Sequence, residues 1–175
     1  SEYPYASVNG FNFFNLIGAN YKKNSEVFFI FSYQVWGIIA ITAVTLSCWY
    51  LYTNNKNRMF VFAAALVQIS GVFTFSTGMH ERYLFPAAAL SVISFIYLKD
   101  KRLLTLAVGY TVTIYTNIYY ILFKNSVGMN SSLSSNSHSL ITDAVSLLNI
   151  ILFIYLMKIL IDLMLKTKGR VTHES

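Results

Sequence analysis

Five apolar runs separated by short polar connections dominate the pattern of this chain. A helix that crosses a bilayer needs roughly 20 mostly apolar residues. The third run is short, because only Leu84–Leu98 is uniformly apolar, so Met79–Tyr83 must complete its length. We therefore expect an all-α, polytopic integral membrane bundle of about five transmembrane helices, at about 34–52, 59–77, 79–98, 103–123 and 144–165.

Composition agrees with a membrane protein. Hydrophobic residues make up 55% of the chain and charged residues 11%, whereas about 25% charged residues is usual in soluble domains. The net charge of +6 does not indicate nucleic-acid binding, since the basic residues lie in the gaps between the apolar runs and not in one patch. Cys48 is the only cysteine, which excludes an internal disulfide or a cysteine-based metal site.

The distribution of Lys and Arg predicts the orientation, because cytoplasmic connections carry an excess of these residues. With five alternating helices, one side holds Lys56, Arg58, Lys99, Lys101, Arg102, Lys166, Lys168 and Arg170. The other side holds Lys22, Lys23, Arg82 and Lys124. The C-terminal tail, 166–175, is then cytoplasmic and the N-terminus lies outside. A Ser/Asn-rich stretch at 125–139 becomes an external loop.

Residues 1–33 form an extracytoplasmic or interfacial segment rich in aromatic residues and Asn. The segment is too polar to span a membrane and too aromatic for a disordered tail, so an amphipathic piece in the outer interface fits it. Its Asn and Tyr side chains also suit hydrogen bonding to sugar hydroxyls. A simple interfacial helix remains open as the alternative.

The most informative feature is the run His80-Glu81-Arg82-Tyr83, which stands just ahead of Pro86. Ionisable groups at membrane depth are costly and are therefore functional candidates. Pro86 suits the first turn of a helix, where unpaired N–H groups carry partial positive charge. Arg82 and His80 beside that terminus would bind a phosphate. The alternative is an internal Glu81–Arg82 or Glu81–His80 network that lets the helix end rest in the interface.

Other polar residues have structural explanations. Ser139, Thr142 and Asp143 precede or open the last run and predict a helix cap. Lys158 and Asp162 lie four residues apart and predict a pair, or side chains that reach the interface. The sequence holds no motif for a catalytic or metal-binding residue, so neither is assigned.

Four segments together resemble the C-terminal half of bacterial multi-pass glycosyltransferases with the C-type fold, which are related to the mannosyltransferases of GPI-anchor assembly. The resemblance covers roughly residues 3–123 and is most specific at Met79–Pro86. The segments that carry it are Tyr3–Asn12, Ser32–Gly37, Phe75–Pro86 and Tyr97–Leu103.

The resemblance implies transfer of a mannose-like sugar from a polyprenyl-phosphate donor to an acceptor outside the cell membrane. It implies that the donor's lipid phosphate contacts His80, Glu81, Arg82 and Tyr83. It also implies that the cavity is lined by Tyr5, Asn9 and Asn12.

In such enzymes an acidic residue of the first external loop acts as base or metal ligand. This chain begins where the second half would begin. The base, and a divalent cation where one is needed, would therefore come from a missing N-terminal half or a partner membrane chain. Two alternatives stay open: a non-catalytic membrane subunit, and a protein that binds or translocates a lipid phosphate. A transporter fragment is disfavoured by the scarcity of mid-membrane charges.

Overall fold

The computed structural model describes residues 5–55, 57–126 and 139–173. In chain order the elements are α1 (Phe13–Leu16), β1 (Val27–Phe28), β2 (Phe31–Ser32), α2 (Tyr33–Thr53), α3 (Val61–Phe75), α4 (Phe85–Leu98), α5 (Arg102–Ser126) and α6 (Leu140–His173). Short 3-10 turns, Arg58–Phe60 and Glu81–Leu84, lead into α3 and α4. Residues 127–138 of the predicted external loop lie outside the described residues.

Five of the described helical segments are long and apolar enough to cross a membrane. This confirms the predicted all-α polytopic bundle. The third span reaches 18 residues only because the 3-10 turn Glu81–Leu84 runs straight into α4. Pro86 lies in the first turn of α4, where its missing N–H costs no hydrogen bond.

The helix α3 lies at the centre of the bundle, in contact with α2, α4 and α6. Half of its most apolar stretch is buried, against 17% for α2. Gly71 permits the close approach, because a Cβ there would lie 2.7 Å from the Val44 side chain and 2.8 Å from Phe153. The small residues of α3 therefore serve helix packing.

Polar contacts hold α6 at its start and again at Asp162. At its start, the Ser139 hydroxyl accepts from the Thr142 backbone N–H (3.2 Å) and the Thr142 hydroxyl accepts from the Ser139 N–H (3.2 Å), which confirms the predicted cap. Towards its other end, Asp162 accepts from Arg102 of α5 at 2.7 Å. The predicted Lys158–Asp162 pair is therefore wrong, because the planar Arg102 fork reaches the carboxylate from the neighbouring helix.

Arg102 also binds Asp100 through two of its nitrogens, with the closest approach at 2.8 Å. These bonds hold the pKa of the Asp100 carboxyl below its usual value. The connection between α4 and α5 is thus tied to α6 at the end of the bundle that lies away from the His80–Tyr83 run.

Residues 5–32 fold into a cap over the end of the bundle where α2, α4 and α6 begin, here called the cap end. The cap has a small core of Ala6, Phe14 and Ala19, which Tyr33 at the start of α2 completes. Within residues 5–32 the single helix is α1, with four residues. A simple interfacial helix, one of the two interpretations left open, is therefore not formed.

Candidate functional site

The 3-10 turn Glu81–Leu84 presents the ionisable run at the cap end. Backbone at His80 is extended, and the chain turns directly after it into the 3-10 turn. Leu84 is 1% exposed and holds the turn on the bundle, whereas Arg82 and Tyr83 are exposed. The turn therefore directs the Arg82 and Tyr83 side chains away from the core.

Within the run His80-Glu81-Arg82-Tyr83, the side chains of His80 and Tyr83 contact each other. His80 is 7% exposed, and its ring meets the Tyr83 ring edge to face at 5.4 Å. The Nδ1 atom of His80 lies 4.0 Å from a Glu81 oxygen, at the limit of ion-pair distance. Across the part of the chain that the structure describes, no carboxylate lies within 4.0 Å of the Arg82 guanidinium. With respect to these described residues, Arg82 is thus not occupied by an ion pair.

Three extended pieces lie side by side beneath this turn. The N–H of Ala6 donates to the Lys22 carbonyl (2.8 Å), and the N–H of Tyr21 donates to the Ser7 carbonyl (3.0 Å). On the other side, the N–H of Val8 donates to the Met79 carbonyl at 3.2 Å. The backbone leading into His80 is therefore held by the N-terminal segment, which also binds residues 20–23.

Tyr5 and Asn9, two of the residues expected to line a cavity, lie together with Tyr21. The rings of Tyr5 and Tyr21 meet edge to face at 5.9 Å. Burial raises the pKa of the Tyr21 hydroxyl, its hydrogen bond with the Asn9 side chain partly offsets this, and the charge of Glu81 raises the pKa further. The structure thus brings Tyr5 and Asn9 into one polar cluster near Glu81.

Asn9 and Tyr21 both adopt left-handed backbone conformations, with φ of 59° and 60°. For a bulky residue such as Tyr21 this costs of the order of 1–3 kcal/mol, and residues of this kind concentrate at functional sites. The Asn9 N–H donates to the Asn20 side-chain oxygen at 3.1 Å, which stabilises its turn. Sequence reasoning missed Tyr21, because no local pattern marks a tyrosine that will adopt positive φ.

Asn12 occupies a different environment. Its side chain is fully buried, and its amide nitrogen donates to the carbonyls of Phe73 (3.2 Å) and Ser76 (3.1 Å). Its oxygen accepts from the Asn15 N–H at 3.1 Å. Asn12 therefore caps the C-terminus of α3, where helix carbonyls lack partners. The structure does not bring it to the surface that holds Arg82.

Two asparagines of the spanning helices hold irregular backbone of the cap inside the bundle. Asn149 of α6 donates to the Phe11 carbonyl at 2.9 Å. Asn117 of α5, with its amide oriented to satisfy both of its groups, donates to the Asn9 carbonyl (3.0 Å) and accepts from the Phe11 N–H (3.2 Å). Asn149 lies nine residues into α6, or roughly 13 Å along the helix. Non-helical backbone at such depth persists only where protein groups satisfy it.

An apolar groove opens beside the 3-10 turn, between α4 and α5. It has a volume of about 370 Å³, within the range of ligand pockets. Its lining begins at Phe85, the residue that follows the turn, and continues with Ala88, Ala89, Thr111, Ile114, Tyr115, Ile118, Tyr119 and Leu122. The site thus combines an exposed cationic turn with an apolar groove that starts at the next residue of the chain.

Comparison of the chain with known protein families, with curated proteins and with solved structures finds no match. No group of three or more His, Cys, Asp or Glu side chains within residues 5–55, 57–126 and 139–173 is placed to hold a metal ion. The geometry of the cap end is therefore the feature that indicates a function.

Proposed function

We propose that this chain is the donor-binding part of a membrane glycosyltransferase that uses a polyprenyl-phosphate-linked, mannose-like sugar. The observation that carries the proposal is the continuity of the exposed Arg82 turn with the groove that begins at Phe85. The donor lipid carries an anionic phosphodiester on a long apolar chain. An exposed cation in the turn that leads into the apolar groove matches both parts at once.

Arg82 supplies the main phosphate contact. Its guanidinium presents a planar fork of donors that fits two phosphate oxygens. Tyr83, the next residue of the turn, is also exposed and its hydroxyl offers a further donor. The turn also opens α4, so partial positive charge from the helix terminus adds to the attraction. As an acceptor attacks the sugar, the same contacts stabilise the charge that develops on the departing phosphate.

The cluster of Tyr5, Asn9, Tyr21 and Glu81 would receive the sugar. Tyrosine rings offer flat apolar faces, and the Asn9 amide and Glu81 carboxylate offer hydrogen-bonding groups for hydroxyls. Hydrogen bonds between residues 5–8 and 78–79 join this cluster to the Arg82 turn. The phosphate and the sugar of the donor would therefore bind to one fold unit. The proposal places this unit on the extracytoplasmic side of the cell membrane.

The described contacts support the binding part of the proposal, and the base for the transfer step would come from outside this chain, from an N-terminal half or a partner membrane chain. A divalent cation, where one is required, would be held there as well. The alternative function is a non-catalytic membrane subunit, or a protein that binds or translocates the lipid phosphate. It relies on the same Arg82 turn and the same groove, and differs only in lacking the transfer step.

The test measures binding of a polyprenyl monophosphate to the protein in nanodiscs, by the shift in its thermal unfolding. Arg82→Ala should weaken binding roughly 10-fold to 100-fold, because charged hydrogen bonds contribute about 1.5–3 kcal/mol. Arg58→Ala is the matched control, since Arg58 is also exposed but lies at the opposite end of the bundle. Its affinity should equal that of the unaltered protein.

The uncharged polyprenyl alcohol separates the contribution of the phosphate to binding from that of the polyprenyl tail. It should bind weakly and equally to the unaltered protein and to Arg82→Ala. Equal binding of the phosphate by Arg82→Ala and Arg58→Ala would refute the site. Transfer of a labelled sugar from the donor, measured with the unaltered chain and its partner, distinguishes the glycosyltransferase from the binding protein.

A further inference from the structure

The cap carries a short hairpin whose apolar tip is unusually exposed. Strand β1 pairs antiparallel with β2, with Val27 opposite Ser32 and Phe28 opposite Phe31. Phe29 and Ile30 form the turn, and Phe29 takes a positive φ of 59°. The exposed fractions are 70% for Val27, 84% for Phe29, 80% for Ile30 and 43% for Phe31. Four large apolar side chains exposed within five consecutive residues mark an interaction surface.

The base of the hairpin is polar and is fastened to the start of α2. Glu26 accepts from the Lys23 N–H through its side chain (3.1 Å) and from the Tyr33 N–H through its carbonyl (3.1 Å). The Trp36 indole N–H donates to the Phe28 carbonyl at 3.0 Å. The hairpin therefore has a fixed position relative to the first turn of a helix that is long and apolar enough to span a membrane.

The position of the tip indicates what covers it. The lateral surface of α2 continues from the hairpin with the exposed side chains Val35, Ile38 and Ile39, and this surface would face lipid. Trp36, at the junction, is the residue type that concentrates at membrane–water interfaces. The apolar tip thus adjoins the lipid-facing side of α2, because the Phe31 ring contacts the Trp36 ring at 5.7 Å.

We propose that the Val27–Phe31 tip inserts into the leaflet on the cap side of the membrane and fixes the depth of the cap. Residues 20–23, just before the hairpin, bind residues 5–8, which in turn bind residues 78–79. The anchor therefore also sets the depth of the Arg82 turn. The insertion itself does not depend on the lipid-phosphate proposal.

The test uses a nitroxide spin label at single cysteines, in a Cys48→Ala background, with the full chain in phosphatidylcholine vesicles. Labels are compared at Phe29→Cys, at Ser25→Cys, an exposed polar position before the hairpin, and at Ile38→Cys on α2. Frequent collision of a label with oxygen shows that the label lies in lipid, and frequent collision with a water-soluble nickel complex shows that it lies in water. The Phe29→Cys label should resemble Ile38→Cys, with an oxygen-to-nickel ratio several-fold above that of Ser25→Cys.

Two results would overturn the proposal. A nickel accessibility at Phe29→Cys equal to that at Ser25→Cys would place the tip in water. Low collision with both reagents would show that protein covers the tip, either a partner or a second copy. Ile30→Cys provides a second measurement at the same depth, so that a local effect of one label does not decide the outcome.

Discussion

Substitution of Gly10 by alanine tests whether the cap holds the backbone that leads into the Arg82 turn. A Cβ at Gly10 would lie 2.6 Å from the Met79 carbonyl oxygen and 3.0 Å from the Met79 carbonyl carbon. Carbon–carbon contacts sit at about 3.5–4.0 Å, so the two backbones would have to separate by about 0.5 Å or more. Neither atom belongs to a flexible side chain that could move aside.

The separation would weaken the bond from the Val8 N–H to the Met79 carbonyl, which is already 3.2 Å long. Overpacking costs typically 1–3 kcal/mol, and a lost hydrogen bond about 0.5–1.5 kcal/mol. We therefore expect Gly10→Ala to lower the free energy of unfolding by about 2–4 kcal/mol. It should also weaken binding of the polyprenyl phosphate, because the Arg82 turn follows Met79 directly.

Unfolding is measured by SDS titration of the protein in mixed micelles, and exchange of the Val8 amide hydrogen reports the local bond. Gly78→Ala is the matched control. Gly78 has a φ of 70° but open space around a Cβ, so it should cost only the strain of a left-handed residue, about 1–2 kcal/mol. The reasoning is refuted if Gly10→Ala costs less than Gly78→Ala and leaves Val8 exchange unchanged.

Two further predictions concern stability. Asn12→Ala should lower the free energy of unfolding by about 2–4 kcal/mol in the same titration, because it leaves two buried carbonyls at the end of α3 without a donor; a loss under 0.5 kcal/mol would contradict the capping role. The pKa of Asp100 is lower in the folded protein than in the unfolded chain, where it is about 4. The contribution of the ionised Asp100 to the free energy of unfolding is therefore fully present above pH about 4, and it is lost as the pH falls through the lower, folded pKa. Because Arg102 and Asp100 are both partly exposed, this contribution is at most about 1 kcal/mol. In Arg102→Gln the free energy of unfolding should no longer depend on pH through Asp100. An unchanged plot of unfolding free energy against pH would exclude Arg102 as the cause.

The ionisable run illustrates how far local sequence could predict the site. Its location beside a proline, ahead of a run too short to span alone, predicted that it would lie at the start of a helix. The structure adds that the run forms a 3-10 turn, which buries His80 and exposes Arg82. The sequence left a phosphate site and an internal network both open. The structure places His80 4.0 Å from Glu81, as one form of that network expected, whereas no carboxylate among the described residues lies within 4.0 Å of Arg82, which leaves the guanidinium available for a phosphate.

The sequence by itself determined the class of fold, because runs of about 20 apolar residues are stable as helices in a bilayer whatever surrounds them. It also determined the cap of α6, whose bonds join residues three apart. Only the tertiary structure decided how the N-terminal segment folds, because its fixing contacts cross long separations, such as 138 residues between Phe11 and Asn149. The same applies to Asp162, which local spacing paired with Lys158 but which accepts a hydrogen bond from Arg102 of another helix. Pairings of this kind depend on which helices become neighbours, and the spacing of residues within one helix cannot predict that.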